Sequence, residues 1–395
     1  MDTTTRPPGT ERIPLLDVLR GIAILGTLGM NIWLFGHPAA VDYGPVAEGL
    51  RTMFLSGKFF TMLTLLFGVG LAIQYRSARE RGRSWPGKQP WRAVLLLVEG
   101  TLHVVLLFAW DVLMGYALTA LLVVYLLGLS ERTRTVVMWT ALGIHLTYVG
   151  AVTAIMSLVY SIEHQPHLTR EQIEWDRLYR EGSYSDQVLD RATHFLGTRV
   201  EVIVSFPLMV FLFLLGVRLY RAGTFGDDQV GRVARKRMAV WGLGLGLPLN
   251  ALAVVHPEAL GLAARNAFSL VLMLGYVGLV GVLMDRVRRP GQVTASLTAV
   301  GRTALSNYIL QNLLASLIFY SWGLGLGQLA DHAGLMAAAW AVISLVLLAG
   351  SRLWLSRFPR GPMEMFQARV LALVPERDRA PDPTQVEERN ADPRG

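Results

Sequence analysis

Residues 13–35, IPLLDVLRGIAILGTLGMNIWLF, form a long apolar run interrupted by two charges, Asp17 and Arg20. About 20 apolar residues in a helix cross a hydrocarbon core of ~30 Å, so the run reads as a membrane span. A charge at bilayer depth costs about 2.5–3.5 kcal/mol on insertion scales and is kept where it meets a partner or a wet cavity. Outward from this stretch the pattern recurs. Glu99 and His103 lie in one later apolar run, and Arg302, Asn307, Gln311 and Asn312 in another. The chain is therefore expected to be an all-α, polytopic membrane helix bundle. Polar groups from its first, third and ninth spans should converge on a shared hydrated chamber.

Composition points the same way. Of 395 residues, 52% are hydrophobic and 17% charged, whereas soluble domains carry about 25% charge. The absence of cysteine excludes disulfides, thiol nucleophiles, iron–sulfur clusters and thiolate zinc sites. The net charge of +8 does not imply nucleic-acid binding, because the basic residues fall in short clusters between apolar runs. The first run is long enough to span and carries two charges, so a retained helix is expected rather than a cleaved signal.

Ten spans are expected, near 13–35, 53–75, 92–110, 112–129, 135–160, 200–220, 237–255, 260–284, 298–320 and 334–355. The third and fourth are expected to join by a tight turn at Trp110-Asp111. Every second connection is basic: Arg76 to Arg92 after the second span, Arg132 and Arg134 after the fourth, Arg218 to Arg237 after the sixth, and Arg286, Arg288 and Arg289 after the eighth. Residues 36–50, 110–111, 256–259 and 321–333 hold neither Lys nor Arg. Basic loops stay in the cytoplasm, which puts both termini there. Four segments follow. Residues 1–129 make an N-terminal four-helix half, and 130–199 hold the fifth span and an extracytoplasmic polar segment. Residues 200–376 make a C-terminal membrane half, and 377–395 a disordered cytoplasmic tail rich in Pro, Asp, Glu and Arg. The polar segment 161–199 reads either as a cap or acceptor-binding lid or as an ordinary solvated loop. LLFGVGLAIQYR (65–76) and FLFLLGVRLYRAG (211–223) faintly echo one another.

Spacing defines the candidate site. Asp17 and Arg20 are three apart on one helical face and can pair. Asn31 lies about three turns further along that face. The set is either an internal salt bridge that fixes packing or a ligand contact. Glu99 and His103, at i and i+4, also share a face, so a carboxylate can orient the imidazole and raise its basicity. Asp111 lies two turns beyond. The alternative for His103 is a helix–helix hydrogen bond. His145 has no acidic neighbour in sequence and reads as structural. Lys58, in SGKFF (56–60), is expected at the outer surface, snorkelling to headgroups. Arg302 is expected to begin the ninth span, with Asn307, Gln311 and Asn312 either bonded to neighbouring helices or lining a ligand cavity.

No phosphate loop, G-x-S-x-G or H-E-x-x-H occurs in the sequence. GLGLGLP (242–248) and GLGLG (323–327) follow no strand, so they read as close-packing or turn glycines. No two histidines share a face within the spans, so no metal site is expected.

LLDVLRGIAILGTLGMNIWLFG (15–36), SGKFFTMLTLLFGVGLAI (56–73), EGTLHVVLLFAWDVLMGYAL (99–118), GRTALSNYILQNLLASLIFYSWGLGL (301–326) and RFPRGPMEMF (357–366) together resemble the YeiB-like family of bacterial inner-membrane proteins. The resemblance runs through nearly the whole chain and is weakest over 130–200. Relatives often carry Gly-Asp before the fourth span, where this chain has Trp110-Asp111. That family is grouped with membrane acyltransferases that include heparan-α-glucosaminide N-acetyltransferase. The enzyme's first-span pattern, Asp-x-x-Arg-Gly followed by Asn, falls here on Asp17, Arg20, Gly21 and Asn31. Its functional His follows that Asn in the next loop, where the candidate is His37, at a different spacing. The His typical of YeiB-like proteins matches His103.

The resemblance implies acyl transfer from a cytoplasmic acyl-CoA, as co-substrate and not a bound cofactor, to a small-molecule, sugar or lipid-linked acceptor. His103, with Glu99 or Asp111, would take the acceptor's proton. Arg20, Asn31 and Asn307 would steady the thioester end, with Asp17, His37, Lys58, Arg302 and Gln311 as further substrate contacts. Basic cytoplasmic clusters would hold CoA phosphates. Membrane lipid is the expected surrounding partner, and a homodimer is left open. A transporter of a small polar or anionic solute is the rival class, and a non-catalytic scaffold fits the many intramembrane polar groups poorly.

Overall fold

The computed structural model describes residues 13–36, 43–162, 170–287, 290–330 and 332–375. His37 and the tail 377–395 lie outside them. The described residues form helices and no strands. Helix α1 is Pro14–Gly36. Helix α2 (Pro45–Leu50) runs through a π turn at Arg51–Leu55 towards α3, Lys58–Glu80. There follow α4 (Gln89–Leu106), α5 (Leu113–Leu126), α6 (Glu131–Ile162), α7 (Arg170–Glu181) and α8 (Tyr184–Thr193). The second half holds α9 (Val200–Arg221), α10 (Gln229–Val255), α11 (Pro257–Ala263), α12 (Ser269–Arg286), α13 (Gln292–Arg302), α14 (Ala304–Phe319), α15 (Ala333–Leu355) and α16 (Pro362–Ala372).

A helix lies at each of the ten expected places, and 7 are long and apolar enough to cross a membrane. The other three fall short for stated reasons. Helix α4 carries Arg92, Glu99 and His103, and α5 and α14 are shorter than a full span. Large apolar side chains remain exposed around the outside, among them Trp139, Ile144, Leu158, Trp241, Val342 and Leu345. An apolar exterior of this extent is what a bilayer solvates. The protein is a membrane helix bundle.

Small residues set its closest contacts. With lipid as solvent, helices gain by approaching until their backbones touch, which glycine permits. The echoed segments pack on each other as parallel partners, Phe67 against Phe213 and Tyr75 against Arg221. A Cβ on Gly68 would overlap the Phe213 carbonyl, and one on Gly216 the Leu65 carbonyl. In GLGLGLP, Gly242 meets Gly275 and Gly246 meets Leu272 of α12, so these glycines pack helices as expected. At the basic end of the bundle, Arg235 is 1% exposed and forks onto Asp285 (Nη2–Oδ1 2.6 Å, Nε–Oδ2 3.2 Å), fixing α10 against α12.

Three expectations are corrected. The third and fourth spans do not meet in a two-residue turn, since α4 ends at Leu106 and α5 starts at Leu113. Lys58 does not snorkel. It is fully buried and its Nζ donates to the Thr52 carbonyl at 2.5 Å. The chain before it turns at Gly57 (φ 77), where it lies against the Arg265 backbone, and so covers the lysine. The ninth span is not continuous. It breaks at Thr303 (φ −118, ψ 36), so Arg302 closes α13 instead of opening the span. Helix α13 lies against the first turns of α1, with Gly301 at the Asp17 carbonyl and Gly21 at the Leu297 carbonyl.

The RGPMEMF stretch docks on that break. Glu364 of α16 accepts from the backbone N–H of Leu305 (2.9 Å) and Ser306 (3.4 Å) and from the Ser306 hydroxyl (2.5 Å). It supplies both the acceptors and the negative charge that a helix N-terminus favours. A Cβ on Gly361 would strike this carboxylate. At the opposite end, α7 and α8 fold over the bundle. Gln187 donates to the Ser321 hydroxyl (3.2 Å) and accepts from Trp322 Nε1 (3.2 Å), while Trp175 packs edge-on against Trp110 at 4.7 Å. This segment is a packed cap and not an ordinary solvated loop.

Candidate functional site

Helix α4 points His103 inward, and the connection after it brings Asp111 back to the same imidazole. His103 Nδ1 lies 3.1 Å from Asp111 Oδ1, with side-chain exposures of 2% and 0%. The approach is close enough for charge pairing, although it is off the line of a straight hydrogen bond. Asp111 is held from two other sides. The Leu113 N–H donates to Oδ2 (2.9 Å), starting α5, and the Tyr308 hydroxyl of α14 donates to Oδ1 (3.0 Å). One turn further along α14, Asn312 Nδ2 donates to His103 Nε2 at 3.1 Å. That bond leaves the lone pair on Nε2 and the ring proton on Nδ1, facing the carboxylate, which is the tautomer a general base needs. Arg199, which donates to the Ala109 carbonyl, feels the Asp111 charge from the α9 side.

Next to this pair the polar valences do not close. Gln311 is fully buried with neither amide atom hydrogen-bonded, and Asn312 Oδ1 has no donor. A buried amide without partners costs ~1–3 kcal/mol, so the end of the site formed by α14 holds polar atoms whose desolvation is uncompensated.

The other predicted residues are dispersed. Glu99 does not orient His103. Its Oε2 accepts from Gln367 Nε2 of α16 at 2.6 Å, because one turn back along α4 already reaches the docked C-terminal segment. Asn307 is structural, with Nδ2 donating to the hydroxyls of Thr303 (2.7 Å) and Ser351 (2.8 Å) across the α13–α14 break. Arg302 donates to the Pro359 carbonyl at 3.3 Å. Arg20 pairs with Asp17 at 3.2 Å beside Gly70 of α3, and no hydrogen bond among the described residues joins Asp17, Arg20 or Asn31 to His103. Lys58 is held by its own loop. His145 Nε2 meets the Asn266 carbonyl at 2.9 Å, the structural contact expected of it. The single chamber is thus replaced by one compact cluster, His103–Asp111–Tyr308–Asn312, and separate packing contacts. An apolar cavity of 610 Å³ lies elsewhere, between α6, α9, α10 and α12, lined by Phe211, Trp241 and Phe268 among others. No set of three His, Asp or Glu among the described residues can hold a metal.

Sequence spacing missed Tyr308, which nonetheless stands one turn before Asn312 on the same face. Gln367 gave no signal of its own, since its partner Glu99 is 268 positions away, and Glu364 caps a helix break 58–59 positions back that hydropathy does not show.

Residues 219–373 match the model of a family described as a protein of unknown function, DUF418. The chain is 28% identical over 385 residues to the uncharacterized protein YxaH of Bacillus subtilis (strain 168), covering 90% of this chain and 92% of that one. It is 28% identical over 379 residues to the uncharacterized protein YeiB of Escherichia coli (strain K12), covering 90% and 94%. These matches support a YeiB-like family. The stretch matching the DUF418 model contributes Tyr308, Asn312 and the Glu364 anchor, whereas His103 and Asp111 precede it.

Proposed function

We propose that this YeiB-like chain is a membrane-embedded acyltransferase of the bacterial inner membrane, with its basic end and both termini in the cytoplasm. It moves an acyl group from acyl-CoA to a small-molecule, sugar or lipid-linked acceptor. The observation that carries this is the buried His103–Asp111 pair, with Nε2 directed at α14 beside the unpaired Gln311 and Asn312 amide atoms. His103 Nε2 takes the proton from the acceptor's O–H or N–H as that heteroatom bonds to the thioester carbonyl carbon. The C–S bond then breaks, and the imidazolium returns the proton to the departing thiolate. Asp111 keeps the proton on Nδ1 and stabilises the imidazolium. For His103 to act as the base, Asn312 would withdraw its N–H from Nε2, freeing the lone pair, and with Gln311 would donate to the developing oxyanion. Arg92 and Arg360 stand close enough to repel each other at the basic end, an arrangement that a CoA phosphate relieves.

The test is thioester consumption by the purified chain in detergent. His103→Ala should insert and fold but release no CoA thiol, and full activity in that variant would remove the assignment. The alternative is a carrier of a small polar or anionic solute, favoured by the near-complete enclosure of the same cluster. A carrier would move solute across sealed vesicles with no acyl-CoA present and would leave the thioester intact.

A further inference from the structure

A second group of buried polar atoms lies at the outer end of α4, beneath the α7–α8 cap. Arg191 of α8 is 1% exposed. Its Nε donates to the Val105 carbonyl (2.9 Å) and Nη2 to the Leu106 carbonyl (3.3 Å), closing the C-terminus of the helix that carries His103. A cation suits that negative helix end. Its Nη1 has no acceptor. The guanidinium carbon stands 5.8 Å from the centre of the Tyr179 ring, and that ring stands 4.8 Å from Tyr320. Tyr179 is 2% exposed and Tyr320 fully buried, yet neither hydroxyl makes a hydrogen bond. The Tyr179 hydroxyl lies against the Arg191 guanidinium, off the geometry of a bond, and Tyr320 feels the charge of both. Burial pushes the Tyr179 phenol up, so it remains an O–H donor.

Three polar groups therefore meet with no hydrogen bond closed among them and, among the described residues, no anion paired with the buried cation, since the phenol oxygens can accept but are neutral. Asp190, the neighbouring acid, is engaged elsewhere, by Trp175 Nε1 (2.9 Å) and His194 Nδ1 (2.9 Å). Buried donors and cations are normally matched by an acceptor. The chemistry that fits a guanidinium N–H flanked by two phenols is a carboxylate or phosphoryl oxygen. The Phe108 N–H bonds back to the His103 carbonyl within the turn that Arg191 closes, so the group stands about one turn outside the base.

We propose that Arg191, Tyr179 and Tyr320 form a seat for an oxyanion carried by the acceptor, which makes that acceptor an anionic molecule entering under the α7–α8 cap. The assignment to the acceptor rests on the acyl-transfer reading, whereas the seat itself does not. Thermal unfolding of the full-length chain in detergent tests it, titrated with sodium acetate and with sodium phosphate against sodium chloride at matched ionic strength. A saturable rise in Tm with acetate identifies a carboxylate seat, and one with phosphate a phosphoryl seat. Tyr320→Phe keeps the ring and deletes an unbonded hydroxyl. It should leave the anion-free Tm unchanged or higher and weaken the anion's apparent Kd at least about tenfold. Arg191→Gln should abolish the response, but Tyr320→Phe carries the test because it leaves α4 tied. A rise matched by chloride, no saturable rise, or equal binding by Tyr320→Phe would overturn the seat. His103→Ala should bind the anion like the parent, so loss of transfer with binding intact separates failure of the base from failure of the seat.

Discussion

Asp111→Asn and Asp111→Ala should part company, and the network around His103 says by how much. Asp111 serves two donors that cannot go elsewhere, the Leu113 N–H and the Tyr308 hydroxyl, both in a site closed to solvent. Ala strands them at ~1–3 kcal/mol each, about 2–6 kcal/mol together. Asn can be accommodated. Its Oδ1 keeps the Leu113 N–H, while its Nδ2 donates to the Tyr308 oxygen and to His103 Nδ1. The imidazole then carries its proton on Nε2, and Asn312 turns its unpaired Oδ1 to accept it. The Leu113 N–H stays matched but the Tyr308 O–H loses its acceptor, so Asp111→Asn should cost about 1–3 kcal/mol, roughly half the loss with Asp111→Ala. The base, however, now holds the wrong tautomer, and transfer should fall on the order of 10⁴-fold. Thermal unfolding in detergent and thiol release from acyl-CoA measure the two quantities on one preparation. Equal stability of the two variants would refute the hydrogen-bond assignment, and retained transfer by Asp111→Asn would refute the role of the tautomer.

Further expectations follow from single contacts. Glu364→Ala leaves the Leu305 and Ser306 N–H groups and the Ser306 hydroxyl without their shared acceptor. It should cost ~1–3 kcal/mol as a lost cap with its charge and open the 356–361 stretch to protease, while Glu364→Gln should retain about half. Gly301→Ala drives a methyl into the Asp17 backbone, which has no side chain to move aside. A loss of ~1–3 kcal/mol by overpacking is expected, read as a lowered Tm. Gln311→Leu removes two unbonded buried polar atoms and should raise Tm while lowering transfer, a pairing that a purely structural Gln would not show. On the cap, outside the spans, the Asp186 carboxyl is held low by the Ser183 hydroxyl and then by the Ser183 N–H. A depressed carboxyl stabilises α8 above the ordinary 3.8 and stops doing so as pH falls through its lower folded value. Hydrogen exchange across Tyr184–Gln187 should therefore quicken only at acid pH.

How much of this was legible depends on the range of each interaction. The apolar runs and their alternating basic connections are local, and they located every long helix, although α10 starts at Gln229, well before the expected 237. Helical spacing is local too, and it put Asp17 beside Arg20 and His103 on an inward face. Spacing failed where the chain's return path decides the partner. Glu99 and His103 share a face of α4, but a helix face extends over both ends of the bundle, and Glu99 reaches Gln367 while His103 meets Asp111. Lys58 failed for a similar reason. Hydropathy registers a lysine near the end of a span, not the 51–57 turn that folds back over it. The break at Thr303 leaves a continuous apolar pattern, because its freed backbone groups are met by side chains, the Val300 carbonyl by Asn307 and the Leu305 and Ser306 N–H by Glu364, instead of by a polar loop.

That break gives α14 a particular mechanical position. Its first turn is gripped by Glu364, reached from the basic end through α16, and Asn307 ties its second turn to α15. Tyr308 and Asn312 then carry Asp111 and His103 on the next two turns, and Ser316 donates to the Leu107 carbonyl beyond them at 3.4 Å. Tyr320 follows, beneath the cap. A helix of 16 residues rises about 24 Å at 1.5 Å per residue, so one stiff rod meets the Glu364 anchor at the basic end, the His103–Asp111 pair and, at its far end, the proposed Arg191 seat. Glu99 and Glu364 also repel one another across that anchor. An anion, or a cation, arriving at the basic end therefore acts on the same element that positions Asn312 against Nε2, and a displacement of the α14 N-terminus by even 1 Å would lengthen that bond beyond hydrogen-bond reach. The separation of α13 from α14 is what allows this, since a continuous ninth span would be clamped by α1 along its whole inner half.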